Sequence, residues 1–254
     1  MIPVVNVRGV EIGAGIPKIC VPIVGKTRED ILSQAARFPA IPADICEWRC
    51  DWYDDIFNWS ETLETLTALR SALGGTPLLM TFRTSAEGGE KAVSPTDYAA
   101  LLCNAAATGL VDLLDVELFL GDAIFAQILT CAHENKVKVI ASNHDFSATP
   151  PKEEIISRLI QMQELGADIA KIAVMPTCPA DVITLLDATC TMRDVYAYVP
   201  LVTMSMSGTG VISRLAGEVF GSAMTFGAAS AASAPGQLGV EPLAATLRLL
   251  HNAK

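Results

Sequence analysis

Short apolar runs alternate along this chain with longer segments of helical periodicity. The apolar runs predict strands at 18–24, 43–50, 77–83, 111–118, 136–143, 168–174, 198–204 and 222–228. The segments between them, and one after the last, predict helices at 28–38, 59–73, 95–108, 121–134, 151–165, 179–192, 210–219 and 240–252. Strands that are too apolar to have a solvated face, each followed by a helix, indicate a closed parallel barrel.

We therefore expect a (β/α)8 TIM barrel that forms a single domain over residues 1–254. Residues 4–12 alternate apolar and polar side chains around Arg8-Gly9, which predicts an N-terminal β-hairpin within 1–16. A doubly wound open sheet is the alternative, but no G-x-G-x-x-G motif follows the first barrel strand. The segment 228–239 is rich in Ala, Ser and Gly and long for a βα loop, so we expect it to form an active-site lid.

Composition narrows the possible partners. The net charge of −10 argues against nucleic acid or an anionic membrane surface, and no apolar run is long enough to span a bilayer. The N-terminus lacks the features of a signal peptide, and the seven cysteines lie mostly in apolar segments, which predicts a cytoplasmic protein with reduced thiols. Cys46 and Cys50 have the spacing of half a zinc site, but no convincing second pair follows, so we predict no metal and no cofactor.

Lys171 lies in the middle of the apolar stretch ADIAKIAVMP, residues 167–176. Burial and neighbouring cations both disfavour the charged form of a lysine, and the neutral amine is a nucleophile for carbonyl groups. The alternatives are a lysine whose amino group reaches water at the strand end, or one paired with a buried acid.

In such barrels the chemistry lies at the C-terminal ends of the strands, where a period of two distinguishes inward-facing from outward-facing residues. This rule selects Glu47 and Arg49 on the second barrel strand, although the two could also form a stabilising ion pair. On the third strand it selects Arg83, and the following Gly88-Gly89 turn can bring Glu87 back over the barrel mouth.

The remaining strand ends supply a histidine and an apolar surface. His144 ends the fifth barrel strand, whereas His133 and His251 lie in predicted helices. Asp115 and Glu117 share one face of the fourth strand, where we expect them to support other residues and not to act directly. Further candidates follow on the last two strands and in the helix between them: Met204, Met206, Arg214 and Phe226.

Four of these candidates are cations, namely Lys171, Arg49, Arg83 and Arg214, in a chain of net charge −10. A locally positive mouth suits a small anionic ligand whose carboxylate an arginine can hold with two hydrogen bonds. A neutral lysine, a histidine that exchanges protons and an anion-binding arginine together suggest imine chemistry on a keto acid.

Six stretches carry a resemblance to a known family: EWRCDWYDD, TFRTSAEGGE, SNHDFSATP, ADIAKIAVMP, MSMSGTGVISRLAGEVFGS and SAPGQ. Together, in this order and spacing, they resemble the type I 3-dehydroquinate dehydratases of the shikimate pathway. The resemblance covers nearly the whole chain. It implies a metal-free (β/α)8 enzyme that is usually a homodimer and converts 3-dehydroquinate to 3-dehydroshikimate through a lysine Schiff base.

The resemblance also implies a role for each matching residue. Lys171 would form the imine, His144 would act as general acid and base, and Glu87 would orient His144. Arg214 would hold the substrate carboxylate. Glu47, Arg49 and Arg83 would bind hydroxyl groups or fix one another; Met204, Met206 and Phe226 would line the apolar floor; Ser233 and Gln237 would close the lid.

One position departs from the family pattern. Many members have a serine in the first barrel strand where this chain has Pro22, so the hydrogen bond from that serine is missing here. We expect Pro22 at the strand end or at a bulge. Two other functions stay open from the residues: a class I aldolase or transaldolase, which also uses a barrel lysine, and a non-catalytic barrel that only binds a keto acid.

Overall fold

A computed structural model of the chain describes residues 2–229 and 235–253. Its strands are β1 (Val5–Val7), β2 (Val10–Ile12), β3 (Lys18–Ile23), β4 (Ile45–Arg49), β5 (Leu78–Thr81), β6 (Leu113–Glu117), β7 (Lys138–Asp145), β8 (Ile169–Val174), β9 (Leu201–Ser205), β10 (Met224–Ala228) and β11 (Leu238–Gly239). Its helices are α1 (Arg28–Ala35), α2 (Trp59–Leu73), α3 (Pro95–Ala107), α4 (Asp122–Glu134), α5 (Lys152–Glu164), α6 (Pro179–Thr191), α7 (Val211–Leu215), α8 (Gly217–Phe220) and α9 (Val240–Asn252).

The strands from β3 to β10 form the predicted barrel. Each strand from β3 to β8 pairs in parallel with the next in sequence, and β10 pairs with β3. A bridge between Leu201 and Ser222 joins β9 to the start of β10, where the Ala223 amide donates to the Leu201 carbonyl at 2.7 Å. The sheet therefore curls round on itself, which confirms the predicted TIM-barrel fold.

The lower half of the barrel is filled with apolar side chains. Each barrel strand contributes one inward-facing buried residue to this layer: Cys20, Ile45, Leu79, Leu113, Ile140, Ile169, Val202 and Met224. The antiparallel hairpin of β1 and β2 adds Val5, Val7 and Ile12 to the same cluster. The hairpin thus covers the N-terminal end of the barrel.

One helix differs from the sequence predictions, and the predicted lid segment is described only in part. The helix expected over 210–219 is divided into α7 and α8, because Ala216 has ψ near 9° and ends the first of them. The segment 228–239, predicted as a lid, has both ends in the sheet: Ala228 belongs to β10 and pairs in parallel with Gly239 of β11. Residues 230–234, which include Ser233, lie outside the described residues.

Three aspartates at the starts of alternate barrel strands have the same role. Asp44, Asp112 and Asp168 directly precede β4, β6 and β8. Each carboxylate accepts a hydrogen bond of 2.7–2.8 Å from a backbone amide of the preceding strand. The donors are Ile19 for Asp44, Leu78 for Asp112 and Val139 for Asp168. The backbone amide of each aspartate donates in return to the carbonyl of the same residue at 2.9 Å. The carboxylates thus satisfy buried amides and fix the stagger between neighbouring strands.

Asp168 provides a test of this role. Its pKa is lowered: burial works against the charge, but hydrogen bonds from Lys138, the Val139 amide and His133 outweigh it. Asp168→Asn should lower the free energy of unfolding by about 1–2 kcal/mol at pH 7, measured by urea denaturation. Because the folded pKa lies below the unfolded value, the stability from ionised Asp168 is present above about pH 4 and is lost as the pH falls. A difference between parent and variant that persists unchanged at pH 3 would contradict this account.

Candidate active site

Lys171 lies inside the barrel, at the centre of β8. Its side chain is buried, and its Nζ atom donates to Oδ2 of Asp115 at 2.9 Å. Nζ also lies 4.7 Å from the centre of the Phe226 ring. The structure therefore shows one of the arrangements considered for this lysine, a pair with a buried acid.

Asp115 is held by more than the lysine. Its Oδ1 accepts from Arg83 Nη2 at 2.7 Å and also from the Ser142 hydroxyl. Burial opposes the charge of this carboxylate, but Arg83 and Lys171 hold its pKa far below the ordinary range. We expected Asp115 to support other residues, and it contacts the amino group of Lys171 directly.

Arg83 links the acidic residues of the mouth. Its Nη1 donates to Glu117 Oε1 at 2.9 Å and lies 3.6 Å from Glu87 Oε2, while Nη2 contacts Asp115. Burial disfavours its charge, yet these carboxylates raise the pKa of Arg83 overall. Glu117 in turn accepts from the backbone amide and the hydroxyl of Thr84, at 2.8 and 2.7 Å.

Glu87 contacts His144 through both backbone and ring. Glu87 Oε2 accepts from the His144 backbone amide at 2.9 Å and lies 2.9 Å from Nδ1 of the imidazole. The turn that brings Glu87 here needs glycine: Gly88 has φ of +82°, and a Cβ there would lie 2.4 Å from the Phe146 ring. A Cβ on Gly89 would lie 1.9 Å from the Arg83 carbonyl oxygen.

Burial shifts the pKa values of Glu87 and His144 in opposite directions. It raises the pKa of Glu87 to about 7, with Arg83 opposing the rise. Burial, followed by the charges of Arg83 and Lys171, lowers the pKa of His144 well below its usual value, so the imidazole is neutral near pH 7. When Glu87 is ionised it can only accept hydrogen bonds, so Nδ1 carries the ring hydrogen and Nε2 is left as a proton acceptor.

Arg214 is the cation of the site that lacks a carboxylate partner among the residues the structure describes. Its side chain is 2% exposed, its Nη2 donates to the Pro235 carbonyl at 3.1 Å, and Nη1 lies 3.7 Å from Met204 Sδ. Nε has no hydrogen-bond partner in the described structure. Burial lowers the pKa of Arg214 to about 10, and the unmatched charge suits an anion.

Glu47 and Arg49 both face the cavity, but they do not form an ion pair with each other. Arg49 donates from Nε and Nη2 to the two carboxylate oxygens of Asp51, both at 2.8 Å. Glu47 accepts from the Thr81 hydroxyl at 2.8 Å. Pro22, the last residue but one of β3, is adjacent to Glu47 in the sheet register, which agrees with the predicted position near the strand end.

These side chains line one cavity of roughly 800 Å³, counting the open space at its mouth. All the predicted site residues that the structure describes line it: Glu47, Arg49, Arg83, Glu87, His144, Lys171, Met204, Met206, Arg214, Phe226 and Gln237. Ser233 lies outside the described residues. Trp52 and Phe146, which were not predicted from the sequence, also line the cavity from the loops after β4 and β7. Their position as aromatic residues soon after strand ends was the available signal.

Comparisons with known proteins show the family to which the chain belongs. A model of the family "Type I 3-dehydroquinase" matches residues 19–254. The chain belongs to the type I 3-dehydroquinase family. It is similar to the 3-dehydroquinate dehydratase of Clostridium botulinum, with 53% identity over 98% of both chains. It is also similar to the type I 3-dehydroquinate dehydratase structure from Clostridium difficile, with 53% identity, a TM-score of 0.98 and full coverage of both chains. A structure from Geobacillus kaustophilus gives 37% identity and a TM-score of 0.96, covering 98% of this chain and 97% of the other.

Membership confirms the predicted family and the predicted enzyme class, a 3-dehydroquinate dehydratase, which is a hydro-lyase. It favours this class over the aldolase and the non-catalytic barrel that the residues had left open. Over 2–229 and 235–253, no helix is long and apolar enough to cross a membrane. The homodimer and the cytoplasmic location stay predictions.

Arg214 gives a direct test of anion binding. Arg214→Lys keeps a positive charge but loses the planar guanidinium, so we expect affinity for 3-dehydroquinate to fall by about 1.5–3 kcal/mol. Equilibrium titration in a Lys171→Ala background would measure this without turnover. Arg248→Lys, at an exposed arginine of α9, is the matched control. If the Arg214 variant binds as well as the parent, another group holds the carboxylate.

Proposed function

We propose that this chain dehydrates 3-dehydroquinate to 3-dehydroshikimate through a Schiff base on Lys171, with His144 as general acid and base. One observation carries the proposal: a buried lysine, a neutral histidine and a buried arginine without a carboxylate partner among the described residues line the same cavity. The Clostridium difficile relative was solved with covalent modified comenic acid, which supports covalent chemistry in this fold.

Imine formation begins at the amine. The neutral amine of Lys171 attacks the C3 carbonyl of the substrate to give a carbinolamine. The carbinolamine hydroxyl takes up a proton from solvent and leaves as water, and an iminium ion remains. Asp115 lies 2.9 Å from the amino group, so its carboxylate can compensate the charge of the iminium once it forms. The positive charge of the intermediate therefore develops next to a buried counter-ion.

Elimination uses the histidine twice. The iminium withdraws electrons and acidifies the C2 hydrogen, which Nε2 of His144 removes as a proton. The C1 hydroxyl then leaves as water after it receives a proton from the imidazolium, so His144 returns to its neutral form. Hydrolysis of the imine releases 3-dehydroshikimate and restores the Lys171 amine.

The remaining residues position the substrate in this proposal. Arg214 holds the carboxylate, and Met204, Met206 and Phe226 form an apolar floor under the ring. Glu47 and Arg49 bind hydroxyl groups, whereas Arg83 is engaged with three carboxylates and fixes them. Gln237, with Ser233, closes the site over the substrate.

The first prediction for this function concerns the covalent intermediate. Borohydride added with 3-dehydroquinate should reduce the imine and add one ligand mass to the peptide that contains Lys171. Peptide mass mapping measures the site of attachment. Lys18 and Lys138 are internal controls, since each lies on a barrel strand without facing the cavity. A ligand mass on either of them, or on Lys136, would refute the assignment.

The second prediction separates imine formation from elimination. His144→Ala removes the base, so dehydration should fall by about 10²–10⁴-fold, the scale of general acid–base catalysis. The Lys171 adduct should still form under borohydride, because attack on the ketone needs the amine. His133→Ala is the matched control, because His133 is an exposed histidine of α4. Near-parental dehydration by His144→Ala would assign the base elsewhere, and loss of trapping would show that His144 also serves the imine steps.

A further inference from the structure

Asn143 and Arg158 connect the helical layer of the barrel to the carboxylate of Glu87. Asn143 precedes His144 on β7, and its buried side chain projects to the other face of the strand. Its Nδ2 donates to Glu87 Oε1 at 3.1 Å, and its Oδ1 accepts from Arg158 Nη1 at 2.8 Å. Glu87 is therefore held at both oxygens, with His144 on one and Asn143 on the other.

Arg158 is itself held in place on α5. Its Nη2 pairs with Glu154 one helical turn earlier, and its Nη1 lies 3.8 Å from Asp145 Oδ2. Its guanidinium carbon lies 5.6 Å from the centre of the Phe119 ring. The side chain is 17% exposed. These contacts hold the guanidinium against the Asn143 amide.

The chemistry of the amide makes this contact directional. An asparagine amide has a donor end and an acceptor end, whereas arginine carries donors only. Contact with Arg158 therefore turns Oδ1 of Asn143 toward α5 and Nδ2 toward Glu87. In the reversed amide, Oδ1 would face the Glu87 carboxylate and the two oxygens would repel each other.

We propose that Arg158 and Asn143 are positioning residues that keep Glu87 ionised and oriented, so that Nε2 of His144 is free to accept a proton. The proposal rests on the proposed function and deepens it. Neither residue lines the cavity, so both act through Glu87.

The expected pH dependence follows from the groups around Glu87. The charged or titratable ones are Arg83 from the loop after β5, Asp115 and Glu117 from β6, and His144 from β7. Burial raises the pKa of Glu87 to about 7, Arg83 and the Asn143 hydrogen bond lower it, and the two acidic residues raise it. Loss of the Asn143 bond should raise it further. The ionised fraction of Glu87 at pH 7 then falls, and the acid limb of the activity profile moves to higher pH.

The test is the pH profile of kcat for Arg158→Met. We expect kcat at pH 7 to fall about three- to tenfold, with the acid limb displaced upward by about 0.5–1 pH unit, and most of the activity to return at pH 9. Arg158→Lys, which keeps a donor, should recover part of the loss. Glu154→Gln is the matched control: it removes the charge of the outer ion pair, while the contacts of Arg158 with Asp145, Phe119 and Asn143 remain, so its profile should match the parent.

A double-mutant cycle separates the amide contact from a plain charge effect. Asn143→Leu alone should produce an acid-limb shift at least as large as that of Arg158→Met. Arg158→Met added to Asn143→Leu should change little more, because the contact through which Arg158 acts is already absent. Fully additive shifts would overturn the proposal that Arg158 acts through Asn143. An unchanged pH profile in the folded Arg158→Met protein would overturn it as well.

A measurement without substrate makes the inference independent of turnover. Carboxyl ¹³C NMR, with Glu87 assigned through Glu87→Gln, should report a higher titration midpoint for Glu87 in Arg158→Met than in the parent. An unchanged midpoint would overturn the inference even if the parent enzyme is active. A parent that does not dehydrate 3-dehydroquinate would refute the proposed function, and the Glu87 midpoint would still decide the positioning role.

Discussion

The buried guanidinium of Arg83 is the group on which the arrangement of the barrel mouth depends. It contacts Asp115 and Glu117 at 2.7 and 2.9 Å and lies 3.6 Å from Glu87. Acidic side chains so close together, and almost fully buried, would repel one another and protonate without a cation between them. Arg83 keeps Asp115 ionised next to Lys171, and it limits the rise in the pKa of Glu87 next to His144. The lysine and the histidine thus depend on the same charge, although they lie on different strands.

The two buried arginines of the mouth illustrate opposite uses of one side chain. Arg83 is saturated with carboxylates and can do little beyond holding them. Arg214 is just as buried but contacts only a carbonyl and a thioether in the described part of the chain, and burial alone lowers its pKa. A charge left unmatched in the protein is a source of affinity for an anion that completes it. The fold thus commits one guanidinium to carboxylates and leaves the other without one in the described part of the chain, which supports the anion-binding role proposed for Arg214.

The sequence predicted the barrel well because its strands are buried on both faces and its helices on one, and these two patterns differ in period. The same period of two selected Glu47, Arg49 and Arg83 as inward residues. His144 was selected by its position at a strand end, and Lys171 as a cation inside an apolar strand. The period could not predict partners across strands. Lys171 and Asp115 are separated by 56 positions, and their contact follows from the stagger and curvature of the closed sheet. Arg49 pairs with Asp51 and not with Glu47, because the short helical turn Cys50–Trp52 brings that aspartate back over the strand end.

The hairpin at the base of the barrel determines how molecules reach the lysine. With Val5, Val7 and Ile12 packed under the apolar layer, the base is covered in the described part of the chain, and the cavity opens at the C-terminal end. In the proposed reaction, the ketone, the product and every water molecule consumed or released must therefore use one entrance. Substrate cannot enter through a single entrance while product still occupies the site, so product must leave before the next substrate binds. The rate of product release through this entrance then sets an upper limit on turnover, however fast the chemical steps are.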